Sequence, residues 1–294
     1  MTLSQMELKQ LCQVAEKAAR AAGEYIQSRV GDHYEQRTKA GGHSMASQVV
    51  TEVDLQAQKI ILDHLNDSIR TYDLGLLTEE AADDASRLSK SFFWCIDPMD
   101  GTLAFTEGRA GYAVSIALVS QAGDPVIGVV YLPDEKTCYT AVRGEGVQQD
   151  EQAFQRGELS GEENLQNYLD RSFADMPTFE EVKTQLAVWA KQQGVHEVQY
   201  HFGYGAVRNA IAVMHSAAGC YFKFPKPQQG GGSIWDYAAT RLFFEELGFP
   251  VSDAQGRPLH FNNAGTTFMN TVGVLFATQK PLADEVLRIG REFQ

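Results

Sequence analysis

Asp97 and Asp100 stand three residues apart at the end of an apolar run, residues 92–96, within the string Trp94-Cys95-Ile96-Asp97-Pro98-Met99-Asp100-Gly101-Thr102. An uninterrupted apolar run of that length reads as a buried strand. Pro98 is expected to stop the regular strand, and Gly101 permits backbone geometry that other residues resist. The two carboxylates are thereby expected in a bend at a strand end, facing a common point. Such a point suits a hard divalent cation, because Mg²⁺ takes oxygen ligands and keeps waters that a phosphate can share. Thr102 adds a hydroxyl, and amides at the start of a following helix can take an anion. The competing reading is a turn with two solvated acids. Acids are rarely set directly after so apolar a strand without a partner, which favours the metal–phosphate reading.

Other candidates are ambiguous one at a time. Thr51 opens a helical stretch with Asp54 three residues on, and on the residues alone Asp54 is a helix-start acid that favours the dipole. Leu76-Leu77-Thr78-Glu79-Glu80 is a second apolar approach ending in acids; by itself it is a charged surface loop, since Asp83 and Asp84 follow. Asp236 comes after Trp235 and the flexible Gly230-Gly231-Gly232-Ser233, and alone it reads as a helix N-cap. Lys39, in the glycine-rich polar loop 37–48, is by itself a solvated charge, with another role only beside a phosphate site.

The elements that must position these groups follow from periodicity. Ser4 and Glu7 form a capping box ahead of Leu8, Leu11, Ala15, Ala19 and Ile26 at helical spacing. A second helix follows Thr51. Period-two stretches around 112–118, 126–132 and 138–142 predict an antiparallel meander that closes a first lobe near Gly146. Residues 147–170 are polar and predict a connection. Thr178 with Glu181 predicts a capped helix. Helices are predicted at 206–217, 236–247 and 281–293, with strands at 220–224 and 272–277. That alternation predicts a layered α/β second lobe. The resulting division is residues 1–150, an N-terminal α+β lobe for metal and phosphate, and residues 151–294, a C-terminal α/β lobe for substrate.

At 294 residues, 44% hydrophobic and 21% charged, the chain has the composition of a globular protein with a large core. Its 25 basic and 38 acidic residues leave −13, which argues against a nucleic-acid polymer or a membrane surface as partner. A phosphorylated metabolite is compatible with that charge, because bound cations reverse the local sign. Cys12, Cys95, Cys138 and Cys220 are scattered and read as reduced thiols. The absence of a signal-like start or an apolar span predicts a cytoplasmic protein.

Gly203-Tyr204-Gly205 lacks the rest of a dinucleotide fingerprint, and there is no P-loop. Haloacid dehalogenase-type phosphatases place their acids two apart near the N-terminus, unlike Asp97 and Asp100. The chain instead resembles the inositol monophosphatase superfamily of lithium-sensitive, Mg²⁺-dependent phosphatases along nearly its full length. Four signatures carry the resemblance, in order: Val50-Thr51-Glu52-Val53-Asp54, Thr78-Glu79-Glu80, Asp97-Pro98-Met99-Asp100-Gly101-Thr102 and Trp235-Asp236-Tyr237-Ala238-Ala239. Two positions depart from the pattern: Thr78 and Phe249 stand where the family usually has glycine.

The resemblance implies a two-lobed αβαβα sandwich and two or more Mg²⁺ ions. Glu79, Asp97 and the Met99 carbonyl would hold one ion; Asp97, Asp100 and Asp236 would hold a second. In such sites the ions stabilise attacking and leaving oxygens together. Glu79 and Thr102 would orient the attacking water, with Asp54 accepting from the Thr102 hydroxyl. The amides of Gly101 and Thr102 would bind phosphate oxygens, and Asp100 would also face the substrate. A homodimer is compatible with the sequence.

Inositol-specific members place a glutamate shortly before Trp-Asp. Here no acid lies between Glu197 and Asp236, and Lys223-Phe224-Pro225-Lys226 precedes a longer glycine-containing loop. That segment is similar to the 3′(2′),5′-bisphosphate nucleotidase branch, whose substrate carries a second phosphate. Lys223 and Lys226 are therefore candidate substrate contacts, since charge-assisted bonds to phosphate are strong. Their alternative is two solvated surface charges. The leading substrate is 3′-phosphoadenosine 5′-phosphate or a relative; the alternatives are inositol 1-phosphate and a non-catalytic metal- or phosphate-binding role.

Overall fold

The structure, a computed structural model, describes residues 2–32, 36–38, 49–156, 164–230 and 232–293; Lys39 and the rest of its loop lie outside the described residues. Helix α1 (Gln5–Ser28) starts on the Ser4–Glu7 capping box and buries one stripe, Leu8 to Ile26. Strands β1 (Gln36–Thr38) and β2 (Val49–Thr51) pair antiparallel and lead into α2 (Glu52–Thr71). Thr51 and Asp54 form a second capping box at the start of α2.

A seven-stranded sheet follows: β3 (Gly75–Thr78), β4 (Phe92–Asp100), β5 (Ala113–Ser120), β6 (Pro125–Leu132), β7 (Thr137–Val142), β8 (Val147–Gln149) and β9 (Gln152–Ala153). Its strands lie side by side in that order; β3 and β4 are parallel and the rest antiparallel. The short helix α3 (Thr102–Thr106) interrupts the chain between β4 and β5.

The second half supplies β10 (Leu165–Leu169), α4 (Arg171–Ala174), α5 (Phe179–Gln192), β11 (Val198–Phe202), α6 (Ala206–His215), β12 (Gly219–Lys223), α7 (Ala238–Glu246), β13 (Val251–Ser252), β14 (Val274–Ala277) and α8 (Lys280–Arg291). Its sheet has the order β11-β10-β12-β14-β13, with both β10 pairings parallel and both β14 pairings antiparallel.

Side-chain alternation builds five layers, because both sheets are covered on both faces. Trp94 and Ile96 of β4 point into a core with α1 and α2. Phe93 and Cys95 point the other way, into a core with α6, α7 and the second sheet's Tyr221, Val274 and Phe276. On the outer face of that sheet, Cys220, Phe222, Leu275 and Ala277 meet α5 and α8. The result is the αβαβα order of an α+β sandwich. Each fully buried large apolar side chain contributes about 1.5–3 kcal/mol, so the wholly apolar strands are the main anchor of the site at their ends.

Four local expectations are corrected. Strand β4 does not stop at Ile96 but runs through Pro98 to Asp100. Asp97 opposes Ser115 and Asp100 opposes Ala113, so the ladder slips by one residue. A bulge of this kind leaves one residue unpaired, which accommodates a proline that has no amide to donate. The polar stretch 147–170 is not a plain connection, since it contains β8, β9 and β10. Thr178 makes no side-chain cap, because its backbone is already helical whereas a capping residue is extended. Asp236 is not the N-cap of α7: it closes a 3₁₀ turn, Ile234–Asp236, capped by Ser233, and α7 begins at Ala238. Among the described residues no helix is long and apolar enough to cross a membrane.

Candidate metal and catalytic centre

The centre lies where β3 and β4 end beside the turn that precedes α7. Oxygens of Asp97, Asp100 and Asp236 lie within 4.8 Å of one another. Asp97 is 1% exposed, and its Oδ1 accepts from the Met99 amide at 3.0 Å, which closes the bend after the strand. Opposite it on β5, the Ser115 hydroxyl donates to the Trp235 carbonyl at 3.2 Å, tying the Asp236 turn to the first sheet. The Ser233 amide donates to Asp236 Oδ2 at 2.8 Å.

Asp100 is held from the second half. The first two amides of α6, Ala206 and Val207, donate to its Oδ1 and Oδ2 at 3.2 and 2.7 Å. A helix N-terminus favours an anion, and here the anion is a protein carboxylate. Gly205 allows this approach.

Gly101 turns the chain from β4 into α3 with φ +84°, and a Cβ there would lie 2.5 Å from the Gly111 carbonyl oxygen. The first residue of α3 is Thr102, whose Oγ1 lies 3.0 Å from Asp54 Oδ1 and 3.1 Å from the Met99 carbonyl oxygen. The second oxygen of Asp54 accepts from the amide and hydroxyl of Thr51, at 2.7 and 2.6 Å. Asp54 is therefore a capping residue and a Thr102 partner at once.

Glu79 follows β3, and its amide donates to the Ile96 carbonyl at 3.1 Å, which sets it beside Asp97. Its charge acts on Asp54, Asp97, Asp100 and Asp236, although it lies outside the trio. Gln58, which sequence reasoning passed over, fixes this segment: its Oε1 accepts from the Thr78 hydroxyl and from the Glu80 amide, the latter at 3.1 Å. The available signal was its i+4 spacing from Asp54 on one helix face. Thr78 is thus accommodated by a partner on α2. Phe249, the other departure, packs edge-on against Phe244 at 5.9 Å.

Burial raises the pKa of all four aspartates. Asp97 is pushed well above the carboxylate range by burial, then by Glu79, Asp236 and Asp100. Asp100 rises through burial and Asp236, against the α6 amide and Lys223. Burial and Glu79 bring Asp236 to about 6; Asp54 reaches about 6 chiefly by burial. Like charges so close resist joint ionisation. A divalent cation removes that conflict, and an all-oxygen donor set suits a hard one.

Lys223, at the end of β12, is 17% exposed and pairs with Asp170 Oδ2 at 2.8 Å. It faces the rings of Tyr221 and Tyr237 at 5.8 and 5.6 Å, and its charge lowers Asp100 and Asp236. Lys226 lines the same cleft as Lys223, which also includes Asp170, Phe222, Phe224 and Asn270. Asp170 and Asn270 carried no sequence signal, being distant single polar residues.

Oxygen donors gathered at strand ends of a five-layer α+β sandwich define a protein with a centre fit for a hard divalent cation. The profile described as the inositol monophosphatase family matches residues 7–291. The chain belongs to the inositol monophosphatase family and is by class a phosphoric monoester hydrolase. It is 28% identical over 213 residues to the 3′(2′),5′-bisphosphate nucleotidase CysQ of Escherichia coli K12, covering 72% of this chain and 79% of that one. To human inositol monophosphatase 2 it is 29% identical over 262 residues, covering 84% and 81%. Among solved structures, an IMPase from Thermotoga maritima matches with a TM-score of 0.72 at 21% identity, covering 95% and 96%. At that identity the structural likeness is one of fold.

Proposed function

We propose that this protein is a Mg²⁺-dependent phosphomonoesterase that hydrolyses 3′-phosphoadenosine 5′-phosphate or a close relative. The observation that carries the reading is the basic pair Lys223 and Lys226, which line one cleft in a segment with no acid between Glu197 and Asp236. A phosphorylated leaving group is favoured there over a neutral polyol. The similarity to a bisphosphate nucleotidase supports the same substrate class. Inositol 1-phosphate is the second reading, supported by the similarity to an inositol monophosphatase.

In this reading Glu79, Asp97 and the Met99 carbonyl would hold one ion, and Asp97, Asp100 and Asp236 would hold a second. Bound Mg²⁺ supplies Lewis-acid polarisation of the phosphoryl group. The chain's residues do the rest. A hydroxyl has one hydrogen to give; with that of Thr102 directed at Asp54 or the Met99 carbonyl, its oxygen is left to accept from the attacking water. Glu79 orients that water from the other side. As the water oxygen bonds to phosphorus, the bond to the leaving oxygen breaks, giving an alcohol and inorganic phosphate. Amides of Gly101 and Thr102 bind the phosphate. Residues 1–150 serve the phosphate and most of the metal contacts, and residues 151–294 serve the leaving group and add Asp236 to the metal site, in a cytoplasmic enzyme.

The test is phosphate release from 3′-phosphoadenosine 5′-phosphate with Mg²⁺, with inositol 1-phosphate alongside. Fast metal-dependent release from the nucleotide is the expected result. Preference for the inositol ester would overturn the substrate and keep the mechanism; release from neither would overturn both.

A further inference from the structure

One turn of α2 reaches both groups assigned to the attacking water, Thr102 and Glu79. Asp54 Oδ1 lies 3.0 Å from the Thr102 hydroxyl. Gln58 comes four residues later, about 6 Å further along the same helix face. Its Oε1 accepts from the Thr78 hydroxyl and, at 3.1 Å, from the Glu80 amide, so it grips the residues on either side of Glu79. The Gln58 amide has one workable orientation: a backbone N–H can donate but not accept, and turning the group over would set Nε2 against the Glu80 amide.

Glu79 stands between the first sheet and an exposed run. Its own amide donates to the Ile96 carbonyl at 3.1 Å. Residues 81–85 are exposed, and Asp83 accepts from the Ala85 amide and Arg87 Nε at 2.9 and 2.7 Å, further along the same segment. Gln58 itself is firmly based. Val53, Ala57 and Ile61 of α2 share a core with Trp94 and Ile96 of β4, and Trp94 Nε1 donates to the Ser68 hydroxyl of α2 at 3.1 Å. Thr78 is 3% exposed, so loss of the Gln58 acceptor would leave a buried hydroxyl to find another.

We infer that Gln58 is a positioning residue for Glu79, serving that carboxylate as Asp54 serves Thr102, so that α2 sets both water-orienting groups as one unit. The inference rests on the proposed metal centre and on the place given there to Glu79. A ligand whose backbone is held at both sides binds its ion more tightly than one free to wander.

The experiment is calorimetric titration of Mg²⁺ into the full chain freed of metal, comparing wild type, Gln58→Leu, Gln58→Glu and Thr78→Val, with circular dichroism as the check of fold. Gln58→Leu removes both acceptor bonds and should weaken at least one Mg²⁺ binding step about 10- to 100-fold, the range for partners that orient a metal ligand. Gln58→Glu keeps an oxygen for both donors and should restore most of that loss. Thr78→Val removes one of the two bonds and should weaken the same step by a smaller factor. A residue that served the fold alone would leave the affinity of the folded protein unchanged. Unchanged affinity in Gln58→Leu, or an equal loss in Gln58→Glu, overturns the inference; if Gln58→Leu does not fold, unchanged affinity in Thr78→Val overturns it instead. A wild type that binds no Mg²⁺ overturns the metal centre and the inference with it. Because binding is read without turnover, the expected pattern in a protein that releases no phosphate would overturn the hydrolytic reading alone.

Discussion

A Cβ placed on Gly205 would lie 2.3 Å from Oδ2 of Asp100. The contact joins the end of β4 to the start of α6, elements 105 positions apart in the sequence, and delivers two amides to the carboxylate. Gly205→Ala therefore displaces Asp100 or the helix start. Activity should fall about 10- to 100-fold, the usual cost of disturbing a group that orients a metal ligand, and overpacking should cost about 1–3 kcal/mol of stability. Steady-state kinetics and denaturant unfolding on one preparation check both; unchanged kinetics would show that this approach does not position Asp100.

Asp100→Asn keeps an oxygen for one α6 amide and removes a charge from the trio. Turnover should drop at least about 100-fold, since even outer-shell changes reach that size. The fold should survive, because one of several mutually repelling charges has gone. Circular dichroism and phosphate release check the pair, and near-normal activity would remove Asp100 from the metal site.

Thr102 and Asp54 make a third test. Thr102→Val leaves Asp54 Oδ1 without its hydroxyl donor, at about 1–3 kcal/mol of stability for an unsatisfied buried acceptor. Turnover should fall about 100-fold, the lower range for lost acid–base positioning, whereas Thr102→Ser keeps the hydroxyl and most activity. Equal rates in the two variants would exclude the hydroxyl from the reaction.

Acidity should separate metal-free from metal-loaded protein. Asp54 titrates near 6 in the folded state because it is buried, and Asp97 and Asp100 are displaced the same way. Between the ordinary carboxylate value of about 4 and that of about 6, the folded protein binds more protons than the unfolded chain. Stability in EDTA should therefore fall as pH rises through this window, by about 3 kcal/mol for Asp54 alone as an upper figure. Saturating Mg²⁺ should flatten the dependence, because ligand binding requires the ionised carboxylates. Urea midpoints at pH 5 and pH 7, with and without Mg²⁺, supply the check.

Apolar periodicity and capping chemistry are local, and so most of the framework could be read from neighbours in the chain. The run before Asp97, the Thr51–Asp54 pair and the alternation of β5 to β7 each state where an element lies. Proline and caps are less legible: β4 passes Pro98 because its partner strand allows a bulge, and Asp236 ends a turn capped by Ser233 instead of capping the helix itself.

Contacts between distant segments were decided only by packing. Nothing adjacent to Lys223 identifies Asp170 as its partner, nothing near Asp100 points to the amides of α6, and Gln58 meets Thr78 only because α2 lies along the first sheet. The sequence determined which side chains are available for metal and phosphate chemistry, because strand and helix ends are encoded within a few residues. Only the tertiary structure decided which charges are already neutralised and which remain for a ligand, because electrostatic pairing depends on distance through the fold and not along the chain.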